Sequence, residues 1–132
     1  MENIEKVYLL AGFRQLSLTD FVDSCSQIQC YCRDSVNEKC GITTNIQTHI
    51  VKNQSKEKKN SFCMDPNKYY DIYMSESIQF IGHSHPSGDA TPSQIDIEAC
   101  QEHHYNCVVF SKKNKNFSLY RFDLPYSVYF SI

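Results

Sequence analysis

No C-x-x-C pair occurs among the seven cysteines at 25, 30, 32, 40, 63, 100 and 107, which excludes zinc-ribbon spacing. Cys30 and Cys32 form a C-x-C, but no second pair completes a four-sulfur site. The odd count and the missing pattern predict reduced, mostly buried thiols of a cytosolic protein. Long apolar runs are also missing. The longest, Val7 to Phe13, is far too short to span a bilayer, so no membrane partner is expected. No basic-then-apolar leader opens the sequence, in keeping with a cytoplasmic location. Neither sign of charge dominates: the net charge is −2 and the pI ≈ 6.2. That argues against a chain whose main business is coating nucleic acid or anionic membrane. There is no internal repeat.

What is present suffices for a core. The 132 residues fit one domain, 1–132. Leu, Ile, Val and Phe number 32, above the fifth of a chain below which disorder is expected. Lys6 to Gly12 reads as a strand. Ser17 or Thr19 can cap a helix over Asp20 to Arg33. Strands follow at Cys40 to Thr44, Ile46 to Lys52 and Ser61 to Met64. The polar stretch between the last two, Lys52 to Ser61, reads as a solvated hairpin loop. Asp65-Pro66 opens a helix through Met74, with Pro at its favoured first position. Ser77 to His85 is a strand, and Thr91-Pro92-Ser93-Gln94 opens a helix to His104. Cys107 to Ser111 and Phe117 to Phe122 form a hairpin around Lys112 to Asn116. Strands alternating with helices predict an α/β fold, a mixed β-sheet flanked by helices.

The chemistry is concentrated in Ile81 to Cys100, IGHSHPSGDATPSQIDIEAC. His83 and His85 are two apart at the end of an apolar strand, so both imidazoles leave the same face. Pro86 ends the strand. A capping box of Thr91 and Gln94 starts the next helix, which puts Ser93 and Asp96 on one face of its first turn. Two imidazoles on a strand and a carboxylate on a following helix make an N,N,O metal site with one tetrahedral position open. Such a centre generates a nucleophile from water at neutral pH.

Rival patterns fit less well. H-E-x-x-H is absent, and H-x-H-x-D-H fails after His85. Asp89 competes as a ligand against a turn-forming role. His103 and His104 lie seven and eight residues past Asp96, about 10–12 Å along a helix and too far for the same ion. Cys100 reads as a packed thiol.

The segment HSHPSGDATPSQID resembles the signature of the JAMM (JAB/MPN+) zinc metalloproteases. That family also carries an upstream glutamate in an E-x-C-G context, matched here by Glu38-Lys39-Cys40-Gly41. The resemblance spans about residues 20 to 122 and is similar to compact prokaryotic and phage-type members. It implies a cytidine-deaminase-like JAB/MPN fold and one Zn²⁺ per chain, held by His83, His85 and Asp96. Glu38 would be the general base and acid, and Ser93 the donor to the developing oxyanion. Such a donor contributes about 3 kcal/mol to transition-state stabilisation. Cys40 and Gly41 would pack the strand that bears Glu38, and Ser84 would be structural. The implied reaction is hydrolysis of a peptide or isopeptide bond after the C-terminal tail of a ubiquitin-like, β-grasp protein, as a deubiquitinase does. The tail would add beside an edge strand. Antiviral conjugation systems employ such enzymes. Two further resemblances stand beside this one. Compact members with E-x-C-G are similar to phage tail-assembly proteases. The loop HSHPSGDATPS is similar to that of the RadC family linked to DNA repair, although RadC-like loops have Asn where Ser84 stands. The charge balance gives no support for a nucleic-acid partner.

Overall fold

The computed structural model describes residues 1–124 and 127–132. The elements run α1 (Ile4–Ala11), α2 (Leu18–Cys32), β1 (Cys40–Thr44), β2 (Thr48–Val51), α3 (Pro66–Ser75), β3 (Ile78–His85), α4 (Gln94–His103), β4 (Cys107–Ser111), β5 (Asn116–Tyr120) and β6 (Ser127–Phe130). The strands form one sheet in the order β2-β1-β3-β4-β5-β6. Among the described strands β3 and β4 pair in parallel and the other neighbours are antiparallel. This is the mixed α/β sheet expected from the alternation of elements. Among the described residues no helix is long and apolar enough to cross a membrane.

Side-chain alternation along β3 divides the core in two. Phe80 faces α1 and α2, where Val7, Phe21, Cys25, Ile28, Phe110, Phe117 and Phe130 close one cluster. Ile81 faces the other way, with Cys40, Ile42 and Val51 against Ile72 of α3. Cys100 of α4 packs beside it on Cys107, Val109 and Tyr120. The helices therefore cover both faces of the sheet. Five of the seven cysteines are buried, and Cys30 and Cys63 are exposed.

Three local expectations are corrected. Lys6 to Gly12 is not a strand but lies in α1, capped by the Asn3 side chain and closed by Gly12 at φ 65°. The left-handed stop is glycine's province. Ser61 to Met64 forms no strand, so Lys52 to Ser61 joins β2 towards α3 and does not close a hairpin. The cap of α4 is Ser93, not Thr91, and the capping box pairs Ser93 with Asp96. Strand β6 is an addition, held on β5 through pairs such as Phe117 with Phe130.

Phe21 of α2 is the keystone of the larger cluster. It is fully buried, with ring centroids 5.2 Å from Phe13, 5.9 Å from Phe80 and 5.8 Å from Phe130. Phe21→Ala is expected to cost about 3–5 kcal/mol in urea unfolding, the usual penalty for an aromatic cavity. A loss under about 1 kcal/mol would show that the cluster collapses around the gap.

Candidate metal centre

The C-terminal end of β3 carries the centre. His83 is buried and His85 half-buried, both on the face opposite Phe80. Antiparallel pairing of Cys40 with His83 brings the start of β1 to the same end, so Glu38, two residues earlier, falls beside His85. The parallel neighbour β4 places Val109 next to His83. After β3 the chain turns back, and α4 begins at Ser93 with Asp96 in its first turn.

Three ligand-type atoms then form a small triangle. His83 Nε2 lies 3.3 Å from His85 Nε2 and 3.0 Å from Asp96 Oδ2, and His85 Nε2 lies 3.5 Å from the same oxygen. Tetrahedral coordination at bond lengths of about 2.0–2.1 Å needs ligand atoms roughly 3.3 Å apart, so the triangle has the size of one face of such a site. Glu38, His83 and His85 also offer ligand atoms all within 4.8 Å of one another. The residues can hold a metal ion.

Tautomers support the fit. His85 Nδ1 lies 2.7 Å from the Asp89 carbonyl oxygen, which can only accept, so Nδ1 carries the hydrogen. In the neutral ring Nε2 is then a bare lone pair facing the triangle. His83 Nδ1 meets Cys107 Sγ at 3.6 Å, and Phe62 stacks on the His83 ring at 4.6 Å. The Asp89 carboxylate turns away and accepts from the Thr91 N–H at 2.9 Å, so Asp89 serves through its backbone.

The two carboxylates are driven apart in acidity. Burial pushes Glu38 above its ordinary range; the His83 and His85 imidazoles pull against this, and the Asp96 charge adds to it. Burial would also raise Asp96, but His83, His85 and the Ser93 N–H hold it far below the usual carboxylate range. Burial draws His85 down, yet the Asp96 carboxylate and the Asp89 carbonyl outweigh that and leave it raised. The two carboxylates are thus shifted in opposite directions by their surroundings.

Ser93 stands at the mouth, exposed. Its Oγ accepts from the Asp96 N–H at 3.1 Å, while the Asp96 carboxylate accepts from the Ser93 N–H at 2.9 Å. The hydroxyl accepts in this cap, so its own hydrogen remains available to donate. Of the remaining sequence candidates, Cys100 and His103 line the groove that His83 and Asp96 also line, and none joins the triangle. Cys100 is buried against Cys107, His103 stacks on Tyr105 and His104 on Phe122.

Sequence reasoning missed one residue that holds Glu38. Asn53 is buried and satisfies all its capacity. Its Nδ2 donates to the carbonyls of Glu38 at 2.9 Å and Ser61 at 3.0 Å, and its Oδ1 accepts from the N–H of Ser55 at 2.9 Å and Cys63 at 3.1 Å. On the other side the Ser84 hydroxyl accepts from the Lys39 N–H at 2.9 Å. The Ser55 contact is a local Asx turn, but no spacing rule marks the Glu38, Ser61 and Cys63 partners, which lie 8 to 15 residues away. The 61–64 segment is also part of the centre. With α3 and α4 it walls a groove of ≈ 410 Å³ whose lining includes Phe62, Met64, Tyr69, Ile95, His83 and Asp96.

A family model described as prokaryotic homologues of the JAB domain matches residues 27–123. Among solved structures, the chain is similar to the solution structure of protein DSY2949 from Desulfitobacterium hafniense. The TM-score is 0.58 and the identity 18%, over 83% of this chain and 87% of that one. It is also similar, at TM-score 0.48 and 13% identity over 82% and 89% of the two chains, to AF2198, a JAB1/MPN domain protein from Archaeoglobus fulgidus. No match is found among curated proteins. The first likeness bears on the fold alone.

Asn53→Ala strands two carbonyls and two amides and is expected to cost about 1–3 kcal/mol in urea unfolding. Hydrogen exchange at the Ser55 and Cys63 amides should accelerate with it. Unchanged protection of those amides would show that water replaces the side chain without loss.

Proposed function

We propose that this chain, which belongs to the family of prokaryotic homologues of the JAB domain, is a zinc-dependent hydrolase of peptide or isopeptide bonds. The observation that carries the reading is the triangle of His83 Nε2, His85 Nε2 and Asp96 Oδ2, with edges of 3.0–3.5 Å, set beside the buried carboxylate of Glu38. His83, His85 and Asp96 would hold one zinc ion. Bound there, zinc supplies Lewis-acid polarisation of a carbonyl and a lowered pKa for water.

The chain's own groups then divide the work. Glu38, desolvated and above its ordinary acidity range, accepts the proton of the attacking water and returns it to the leaving nitrogen. Its carbonyl is fixed by Asn53 and the following amide by Ser84, so the carboxylate starts from a rigid backbone. Ser93 donates its free hydroxyl hydrogen to the oxygen that gains charge as the carbonyl is attacked. Asp96 remains ionised throughout, held by the helix cap.

The substrate read here is the C-terminal tail of a ubiquitin-like, β-grasp protein joined to another protein by an amide. An extended tail suits the groove beside His83 and Asp96, which residues of α3 and α4 line and whose ≈ 410 Å³ is too small for a folded body. The folded part would dock outside.

Three outcomes test this. Elemental analysis should find one zinc per chain, lost in the His83→Ala, His85→Ala double variant; full retention would sink the ligand assignment. Glu38→Gln should keep metal and fold while turnover drops about 10²- to 10⁴-fold, and a wild-type rate would make Glu38 a structural residue. Fusions of β-grasp modifiers to a reporter should be cut at the junction, and chelator should abolish the cut. Scattered cleavage of denatured casein with intact fusions favours a tail-processing protease. Binding of single-stranded DNA without cleavage favours the RadC-like reading.

A further inference from the structure

The cations of this chain are unevenly placed. Lys52 to Ser61 holds Lys52, Lys56, Lys58 and Lys59 with one acid, Glu57, and Lys112 to Asn116 holds Lys112, Lys113 and Lys115 with none. The two stretches carry a net +6 on a chain of net charge −2, so the remaining residues carry −8. Sequence alone makes each stretch an ordinary solvated loop. The topology makes them one feature.

Strands β2, β3 and β4 run in the same direction, because β1 is antiparallel to both β2 and β3 and β4 is parallel to β3. Their C-terminal ends therefore share one end of the sheet. The first lysine loop leaves β2, the metal-centre histidines end β3, and the second lysine turn leaves β4. Backbone bonds fix both loops to the centre. The Glu38 N–H donates to the Lys58 carbonyl at 2.6 Å, and the Lys112 N–H donates to the His85 carbonyl at 3.1 Å. Lys112 Nζ is used internally, on the Ser35 carbonyl at 3.1 Å. The other six lysines are exposed. Four acids adjoin them: Glu57 within the first loop, the buried Glu38 bonded to it, the Asp89 carboxylate, on which Lys113 acts, and Asp34, beside the Ser35 that holds Lys112.

The loops stand three strand spacings apart, about 14 Å, with Glu38 and His85 between them. About four residues of extended chain cross that gap. We propose that the two loops are a cationic clamp for acidic side chains within a few residues of the scissile amide, so that the substrate class is an Asp/Glu-rich protein segment. This rests on the amide-hydrolase reading for the place of the scissile bond. A protein is favoured over a nucleic acid because the occupant must present an amide between the loops. The rest of the chain carries a formal −8, which disfavours a long polyanion running beyond the loops.

The probes are fluorescein-labelled ten-residue peptides of Glu-Gly and of Ser-Gly repeats, and a ten-nucleotide thymidine strand. Anisotropy is read on the zinc-loaded protein and again with chelator. The Glu-Gly peptide should bind at least about tenfold more tightly than Ser-Gly at about 0.05 M salt, and the preference should fade by about 0.5 M. It should survive chelator and Glu38→Gln. It should be lost in Lys56→Glu, Lys58→Glu, Lys59→Glu and in Lys113→Glu, Lys115→Glu, whose exposed side chains leave the melting temperature unchanged. Equal binding of the two peptides, or reversal variants that bind like wild type, would overturn the clamp. Tighter binding of thymidine than of Glu-Gly overturns it in favour of a nucleic-acid surface. Lost preference with intact chelator-sensitive cleavage of a modifier fusion rejects the clamp alone. Retained preference with no cleavage of any fusion rejects the hydrolase reading and leaves the clamp standing.

Discussion

The antiparallel pairing of β1 with β3 is the constraint on which the rest depends. Cys40 opposite His83 puts Glu38 and the two imidazoles at one end of the sheet and on one face. A slip of a single residue would turn Glu38 to the opposite face, since side chains alternate. Gly41 lies opposite Gly82 in this pair, and helix α2 settles on the bare patch they leave. A Cβ on Gly82 would sit 2.7 Å from Ile28 Cδ1. The same register thus seats a helix on one face and gathers on the other the residues that could hold a metal. Sheet pairing, helix packing and site geometry are one requirement seen from three sides.

Onto this frame α4 brings a carboxylate that serves two purposes. The Asp96 carboxylate closes the capping box of its own helix and meets both imidazoles. A helix N-terminus stabilises negative charge, so the helix start and the site reinforce one another. Glu38 lacks any such cap and is desolvated instead. Two carboxylates a few ångströms from the same histidines therefore differ in character because one belongs to a helix end and the other to the buried edge of a strand.

The sequence made the centre legible more fully than the fold around it. The H-x-H spacing, the proline that ends the strand and the distance to Asp96 are local, and local spacing survives folding. The mixed sheet followed from alternating elements. What failed was decided by tertiary contacts or by competing local signals. The run KVYLLAG reads as a short apolar strand, yet Lys, Leu and Ala in it favour a helix, Asn3 and Gly12 cap it as one, and Val7 and Ala11 reach the core one turn apart. Thr91 and Ser93 both suit an N-cap, and only Ser93 lets Asp96 reach back to the cap amide. Phe62 reads as a strand residue, but the surface it covers is the His83 ring, contributed by a distant segment. Asn53 was silent for the same reason, since its four partners come from both ends of a loop and the start of β1.

On the proposed reading, strand β3 and helix α4 would hold zinc on nitrogen and oxygen alone, in a neighbourhood that also contains thiols. Cys107 lies 3.6 Å from His83 Nδ1, Cys63 lines the adjoining groove, and burial with the nearby acidic groups pushes the Cys40 thiol up to about 12. Thiols compete for zinc only as thiolates. X-ray absorption on the zinc-loaded protein decides the point. The account predicts only nitrogen and oxygen neighbours at about 2.0–2.1 Å, whereas a sulfur shell at about 2.3 Å would contradict it.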